Sequence, residues 1–294
     1  MIENIVIKNT ITLKSVEINM TTSNFVLVSA DFGQISSSQQ TYKYPNQIGS
    51  SVYTNTLETR TSNIIGYVIG ESQAVIAHGK RTLNSLINPL HALDILIEDK
   101  YHITMYPDST VKYAATVSEN NEYMCKFEIS GICNDPLFHS DKKLVQAAGV
   151  VPLFHFPLCI PQSEGIVLSK REPSLICSIE NIGSIESGMT ISFQASGAVV
   201  NPSLINIDTQ ECFKLNKTLV KDETVDICTV VGARSIVGKL SGETLSYFKY
   251  RDFDDNAWLQ LYPGINYFRY NADSGLDNLS VYISYTDDYL EVDQ

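Results

Sequence analysis

Apolar and polar residues alternate with a period of two along most of this 294-residue chain. Runs such as NIVIKN, SNFVLVSA and YMCKFEISGIC combine the alternation with β-branched and aromatic residues, and turn residues separate the runs. Alternation of this kind predicts strands with one buried and one exposed face. The sequence therefore predicts a mainly β fold.

One segment has the period of a helix instead, from about residue 72 to residue 88. Ser72 stands at the N-cap position, where a hydroxyl accepts an otherwise unpaired N–H, and Pro89 ends the helix because proline lacks a donor. The residues predicted to pack are Val75, Ile76, Leu83, Leu86 and Ile87. A lone helix of about four turns is marginally stable in water, so we expect this one to lie against a sheet.

A turn-rich segment, residues 134–149, separates two parts of the chain. With the boundary placed at residue 145 within this segment, the first part, residues 1–145, contains about eight predicted strands and the helix, which indicates an α+β domain. The part after it, residues 146–294, has many short strands at even spacing without a helical period. That pattern is typical of a β-sandwich or jelly roll.

A polar stretch interrupts the first part. Residues 31–52 are rich in Gln, Ser, Gly and Tyr, and strand alternation resumes at Tyr53. So long a polar stretch predicts either a loop or a flexible hairpin arm.

The composition and charge of the chain restrict the kind of molecule that it can bind. The chain has 21 Lys+Arg and 33 Asp+Glu, which gives a net charge of −12, and only 18% of its residues are charged. A chain this acidic has no electrostatic reason to hold nucleic acid through its phosphates. Low charge together with 16 Tyr suits a surface that other subunits partly cover.

The expected cellular compartment follows from sequence features that the chain lacks. We expect no secretion signal, because no basic segment precedes an apolar run, and no membrane insertion, because no apolar run approaches ~18 residues. The six cysteines are scattered with no C-x-x-C pair. This arrangement predicts free thiols in a reducing cytoplasm.

Two short motifs resemble a catalytic site and a calcium site, but each lacks residues that such a site requires. Residues 70–74 (GESQA) lie between a strand and a helix, as the serine of a hydrolase does, but the motif's last glycine is replaced by alanine and the flanking strands form hairpins. Residues 252–256 (DFDDN) begin like a calcium loop, which then lacks the Gly and Glu required at its sixth and twelfth positions. We expect no catalytic residue, no metal, no cofactor and no enzymatic activity.

Trp258 and Tyr262 offer a different function. An exposed aromatic ring presents an apolar face on which a sugar can stack, and these two residues lie in the predicted sandwich. They are therefore candidate carbohydrate-binding residues. Packing of Trp258 in the core or at its rim is the competing interpretation.

The order of several short motifs resembles that of the distal tail proteins of long-tailed bacteriophages. The matching motifs are GYVI (66–69), KRTL (80–83), LINP (86–89), FEISGICNDPLF (127–138), ENIGSIESG (180–188), VNPSL (200–204) and LQLYPGIN (259–266). Each is weakly specific alone, but the ordered set covers nearly the whole chain. Residues 31–60 match no feature of the family.

The resemblance implies a split β-barrel with one helix for the N-terminal domain and a galectin-like β-sandwich, projecting outward, for the C-terminal domain. It implies a structural virion protein of which six copies form a ring, the hub of the baseplate or tail tip. The ring would join the tail-tube protein to the tail-tip hub protein and carry receptor-binding or accessory proteins. DNA would only pass through its channel, and assembly would take place in the cytoplasm of the bacterial host. A carbohydrate-binding module in the sandwich and a hydrolase at Ser72 are the alternatives.

Overall fold

The structure, a computed structural model, describes residues 2–21, 24–147, 150–152, 169–171, 176–253 and 257–292. These residues are mostly in strands and contain a single α-helix, so the predicted mainly β class is confirmed. They form two compact units, one ending at Asp141 and one running from Lys142 to Asp288. The residues from Tyr289 on belong to the first unit again. The division thus falls four residues before the boundary predicted at residue 145, and the chain end does not stay with the second unit.

The first unit contains eleven strands and the helix. They are β1 (Asn4–Asn9), β2 (Ser15–Asn19), β3 (Phe25–Asp31), β4 (Ser37–Tyr42), β5 (Ser51–Leu57), β6 (Arg60–Ile69), α1 (Gln73–Leu86), β7 (Leu93–Ile97), β8 (Tyr101–Pro107), β9 (Lys112–Tyr113), β10 (Met124–Cys133) and β11 (Phe138–Ser140).

The second unit is built from strands and two 3₁₀ turns, Phe248–Tyr250 and Leu276–Asn278. Its strands are β12 (Lys143–Gln146), β13 (Val150–Pro152), β14 (Ser169–Arg171), β15 (Ile176–Asn181), β16 (Met189–Ala195), β17 (Val199–Val200), β18 (Ser203–Asn206), β19 (Cys212–Lys214), β20 (Thr218–Leu219), β21 (Thr224–Cys228), β22 (Ser235–Leu240), β23 (Glu243–Ser246), β24 (Gly264–Asn271) and β25 (Leu279–Tyr285). A last strand, β26 (Asp288–Tyr289), lies where the units divide.

Seven strands of the first unit close into a barrel in the order β8-β7-β1-β2-β3-β6-β10 and back to β8. Two of its seams are thin. The parallel β2–β3 seam has one residue pair, Asn19 with Val26, and the β8–β10 seam has two. At the latter, a Cβ on Gly131 would lie 2.5 Å from the carbonyl oxygen of Tyr106, so this closure requires glycine. The predicted barrel is therefore present and closed, with only one or two residue pairs at each of two seams.

Helix α1 packs on the barrel through one narrow stripe. Ile76, Leu83 and Leu86 are buried on it, as is Ile87 just after its end. Gly79 lies in the same stripe, where a Cβ would approach Cγ1 of Val68 to 2.4 Å. The missing side chain lets the helix backbone come close to β6.

Two predicted features of α1 differ in the structure. Val75 lies about 100° around the helix from Ile76, at the rim, and its side chain is 36% exposed. Ser72 does occupy the N-cap position, but its hydroxyl makes no capping hydrogen bond. Its backbone carbonyl instead accepts the N–H groups of Val75 and Ile76 at 3.0 and 3.2 Å.

The difference between Leu83 and Val75 is measurable. We expect Leu83→Ala to lower the free energy of unfolding by about 3 kcal/mol, because it leaves a cavity in a fully buried site. Val75→Ala on the same helix is the matched control and should cost less than about 1 kcal/mol. Chemical denaturation of the full chain gives both values, and equal losses would contradict the packing described above.

The end of the chain is tied into the barrel by Arg60, which is 1% exposed. Its Nη2 donates to the carbonyl of Leu290 at 2.5 Å, and its guanidinium lies over the ring of Phe138 at 4.5 Å. Its Nη1 lies 3.6 Å from the carboxylate of Glu291. Burial lowers the pKa of Arg60, and the Glu291 charge opposes that shift. The hydrogen bond to Leu290 and the ion pair with Glu291 both come from the returning segment, so this desolvated charge depends on that segment.

The second unit is a sandwich of antiparallel sheets. One sheet has six strands in the order β12-β25-β16-β21-β22-β23, and the other has four in the order β15-β24-β18-β19. Alternate residues of both sheets meet in one core, which includes Phe193, Val225, Phe213 and Phe268. This unit therefore has its own hydrophobic core, separate from that of the barrel.

One ionic network lies at the edge of the sandwich core. The buried carboxylate of Glu223 accepts hydrogen bonds from Nζ of Lys217 (2.6 Å), the hydroxyl of Tyr247 (2.8 Å) and the N–H of Val220 (2.9 Å). Burial opposes ionisation of Glu223, but the three hydrogen bonds outweigh it and lower its pKa. Burial and the same carboxylate raise the pKa of Tyr247 to about 12.

Glu223→Gln tests this network, because it keeps the side-chain size and removes the charge. We expect a loss of about 2 kcal/mol at pH 7, typical of a hydrogen-bonded charge. The pKa of Glu223 is lowered on folding, so its contribution is present above the unfolded pKa of ~4.3 and is lost as the pH falls through the folded value. The unfolding free energies of the wild-type protein and of Glu223→Gln should therefore differ less at pH 3 than at pH 7. A gap independent of pH would contradict this account.

Candidate functional surfaces

The polar stretch of the first unit folds into a hairpin, here called the arm (residues 37–57). Its strands, β4 and β5, form a two-stranded sheet of their own and pair with no other strand in the described part of the chain. The register runs from Ser37 opposite Leu57 to Tyr42 opposite Ser51, with an irregularity at Gln40 and Thr41. Of the two structures predicted for this stretch, a loop or a hairpin arm, the structure has the hairpin.

The arm is unusual in its exposure and charge. None of its residues is buried, and Lys43 is its only charged residue. Ile48 is 100% exposed, Tyr53 78% and Tyr44 63%. A hairpin with neither face covered is at best marginally stable in water, and its outer edges present unpaired N–H and C=O groups. Surface hairpins of monomers usually carry charges that prevent pairing, and this one has almost none.

The tip of the arm is held by its own hydrogen bonds. The side-chain oxygen of Gln47 accepts the N–H of Tyr44 at 3.0 Å, and its amide nitrogen donates to the hydroxyl of Ser51 at 2.9 Å. The backbone N–H of Gln47 donates to the carbonyl of Tyr44 at 3.1 Å. Tyr42 and Tyr44 add an edge-to-face contact at 5.2 Å. These contacts hold the turn on which Ile48 lies.

Trp258 lies half-buried against the sandwich core and has neighbours on its ring. The guanidinium carbons of Arg251 and Arg234 lie 4.8 and 5.5 Å from the ring centroid. The rings of Phe213 and Phe248 lie at 5.8 and 6.1 Å. Guanidinium groups over an aromatic ring are stabilised by its negative face, so these contacts favour a packing role for Trp258.

Tyr262, the other candidate for sugar binding, is half-buried in a turn that Asn266 holds together. Asn266 accepts the N–H of Tyr262 at 3.0 Å and donates to its carbonyl at 2.7 Å. Among the ring contacts of the described residues, none joins Tyr262 to Trp258. The two candidates therefore do not form a shared aromatic platform in the described structure.

The residues considered for catalysis and metal binding are not assembled into a site in the described part of the chain. Ser72 lies at a helix start beside antiparallel strands, which is not the setting of a hydrolase nucleophile. Residues 254–256 of the calcium-like motif lie outside the described residues. Within those described, no three His, Cys, Asp or Glu side chains come close enough to hold a metal. The described helix is also too short and too polar to cross a membrane.

Comparison with protein-family models and with curated proteins gives no match. Among solved structures, the chain is similar to the SPP1 Dit protein (gp 19.1), described as a paradigm of the hub adsorption apparatus in phages that infect Gram-positive bacteria. That similarity has a TM-score of 0.64 at 13% identity and covers 97% of this chain and 98% of that one. Two structures of the phage P2 baseplate in its activated conformation, with Ca and with Sr, match with TM-scores of 0.49 and 0.46 at 11% and 12% identity, over the same shares. The SPP1 match confirms the resemblance in fold that the motif order predicted.

Replacing Trp258 separates its two interpretations. If the ring is a packing group, Trp258→Ala should cost about 2–3 kcal/mol of stability, since it removes a large, partly buried aromatic side chain. Phe253→Ala, at a side chain that is 65% exposed, is the matched control and should cost less than about 1 kcal/mol. Thermal unfolding gives both values. A Trp258→Ala protein with unchanged stability that loses binding on a glycan array would instead support the carbohydrate-binding interpretation.

Proposed function

We propose that this chain is a structural protein of a bacteriophage tail, the hub at the tail tip or baseplate. The observation that carries the proposal is the fold, which matches the SPP1 Dit hub protein along 97% of this chain. The match extends over both units, so it is the combination of barrel and sandwich that is shared.

In this proposal six copies form a ring through the barrel unit. The thin seams at β2–β3 and β8–β10 leave strand edges with unpaired backbone groups, and such edges are normally covered. The arm adds two more open edges and almost no charge. A closed ring of identical subunits covers edges of this kind with neighbouring copies.

The proposed ring joins the tail-tube protein on one side to the tail-tip hub protein on the other. Receptor-binding or accessory proteins dock on it, and the protein resides in the virion after assembly in the host cytoplasm. The net charge of −12 favours a channel that DNA passes through without binding, because like charges repel. The protein acts by assembly and is not an enzyme.

The mass of the purified full chain tests the ring. Six chains of 32.7 kDa give about 196 kDa, and we expect light scattering to report that mass and negative-stain images to show rings with a central opening. If the ring forms only on a partner, the chain should instead co-purify with the tail-tube and tail-tip proteins of the same phage. A 32.7 kDa monomer that binds neither partner would contradict the proposal.

Carbohydrate binding by the sandwich stays a prediction from sequence. The guanidinium groups over Trp258 and its separation from Tyr262 do not favour it at those residues. Virion attachment through other proteins docked on the hub requires no glycan site in this chain.

A further inference from the structure

Strand β23 forms one edge of the six-stranded sheet of the sandwich, and we propose that it binds an extended segment of a partner protein by strand addition. In the described part of the chain β23 pairs only with β22. All four of its residues are exposed, and Glu243 is its only charged residue. An edge with so little charge is a template for another strand. The inference rests on the hub proposed above and names a surface on which a docked protein would lie.

The hairpin that ends in β23 determines which backbone groups face outward. Its two turn residues, Ser241 and Gly242, have φ values of 50° and 83°, as a two-residue type I′ turn requires. The residues that flank such a turn bond to each other, and bonded and non-bonded pairs then alternate along the two strands. Thr244 and Ser246 are therefore the residues whose N–H and C=O groups point away from β22.

Two N–H and two C=O groups are thus open at this edge. The next bond of the ladder, from the N–H of Tyr247 to the carbonyl of Ile236 at 2.8 Å, agrees with the alternation. The outer strand of the other sheet, β19, differs, because the N–H of Ala257 donates to the carbonyl of Cys212 at 2.9 Å. The chain itself covers part of that edge, whereas β23 has no such cover from the described residues.

A concavity of about 280 Å³ lies beside the open edge, on the core-facing side of the hairpin. It depends on Gly238, where a Cβ would lie 2.1 Å from Cε2 of Tyr247. Leu240 and Leu245 complete its apolar walls, and Leu245 is 55% exposed. The hydroxyl of Tyr247 donates to the buried Glu223 at 2.8 Å, which holds the ring in place. Strand addition uses both features, backbone groups for affinity and a neighbouring pocket for a side chain.

The concavity determines the chemistry of the added segment. Side chains of a strand alternate between two faces, so every second residue of the segment would lie on the same side as Leu245. An aliphatic residue there would be removed from water by Leu240, Leu245 and Tyr247. Glu243 is the only charged residue that lines the concavity, and it is exposed. We therefore expect an extended segment with an aliphatic residue and, two positions away, Lys or Arg.

A second copy of this chain is a less suitable occupant of the edge. Pairing of β23 with β23 of another copy would be isologous, because each copy would contribute the same strand. Neighbours in the proposed ring make heterologous contacts, in which two different surfaces meet. The pairing would also bring together two chains that each carry a net charge of −12. The edge therefore suits a different protein that presents a basic segment.

Proline at position 244 tests the backbone contact in the full chain. Thr244→Pro removes an N–H that points outward and leaves the bonds to β22 in place, as an edge strand allows. The probes are the other structural tail proteins of the same phage, each purified separately and measured for binding to the immobilised chain. We expect the one that docks on the sandwich to bind Thr244→Pro at least tenfold more weakly. Thr244→Val, the matched control, keeps the N–H and should change the affinity less than twofold.

Leu245→Asp tests the pocket with the same probes. We expect an affinity at least tenfold lower, because a second carboxylate would lie beside Glu243 at the mouth of an apolar concavity. Ser246→Asp is the matched control, since it adds the same charge at the next exposed position, on the opposite face of β23. It should change the affinity less than threefold. If Thr244→Pro lowers the melting temperature of the chain, the comparison of Leu245→Asp with Ser246→Asp decides the test.

The outcomes separate strand addition from the proposed ring. All of these substitutions lie in the sandwich, so each variant should keep the mass of the wild-type ring. Rings that bind no other tail protein, or that bind one equally well with Thr244→Pro and Leu245→Asp, would overturn strand addition at β23 and leave the ring intact. A disulfide-linked dimer formed by Thr244→Cys and absent from the wild-type chain would assign the edge to a second copy and overturn the partner proposed here. A wild-type chain that stays monomeric and binds no tail protein would overturn the hub itself.

Discussion

Pairing of strand edges is the constraint on which the first unit depends. A barrel is stable when every strand finds a partner on both sides, and here two of the seven seams are held by only one or two residue pairs. Helix α1 compensates at one place, because Gly79 lets it lie close to Val68 and bring Leu83 and Leu86 into the core. The chain end compensates at another, since β26 adds a strand beside β11 and Arg60 binds the residues that follow. The unit is thus completed by a segment that lies far from it in sequence.

The sandwich and the arm differ in how completely their strand edges and faces are covered. The sandwich has two sheets that share one core and a buried network at Glu223. The arm has two strands, no covered face and one charge. Such a hairpin is poorly suited to a protein that acts alone, and it is well suited to one whose surfaces are covered on assembly. In the proposed ring, the low charge of the whole chain has the same physical explanation.

Patterns along the sequence predicted the features that depend on interactions between residues near each other in the chain. Helical spacing identified Ile76, Leu83, Leu86 and Ile87, while Val75 fell at the rim because a stripe this narrow excludes a residue 100° away. The position of Ser72 was predictable, but the role of its hydroxyl depends on a rotamer that sequence does not specify. The return of Tyr289 to the barrel was not predictable, because the contacts with Tyr101 and Arg60 join residues about two hundred positions apart. The guanidinium groups of Arg234 and Arg251 lie over Trp258 only in the folded chain, and a pattern of residues along the sequence does not reveal such contacts.

A fold can persist at 13% identity because only some of its positions are sterically fixed. A Cβ on Gly66, in GYVI, would lie 2.6 Å from the ring of Phe127, and one on Gly131, in FEISGIC, would meet the β8–β10 seam. Apolar positions elsewhere in a core accept other residues of similar volume, so identity there is lost while the pattern remains. Positions where backbones nearly touch have no such freedom. The barrel can therefore be kept by few residues, and the surfaces between its close contacts are free to change.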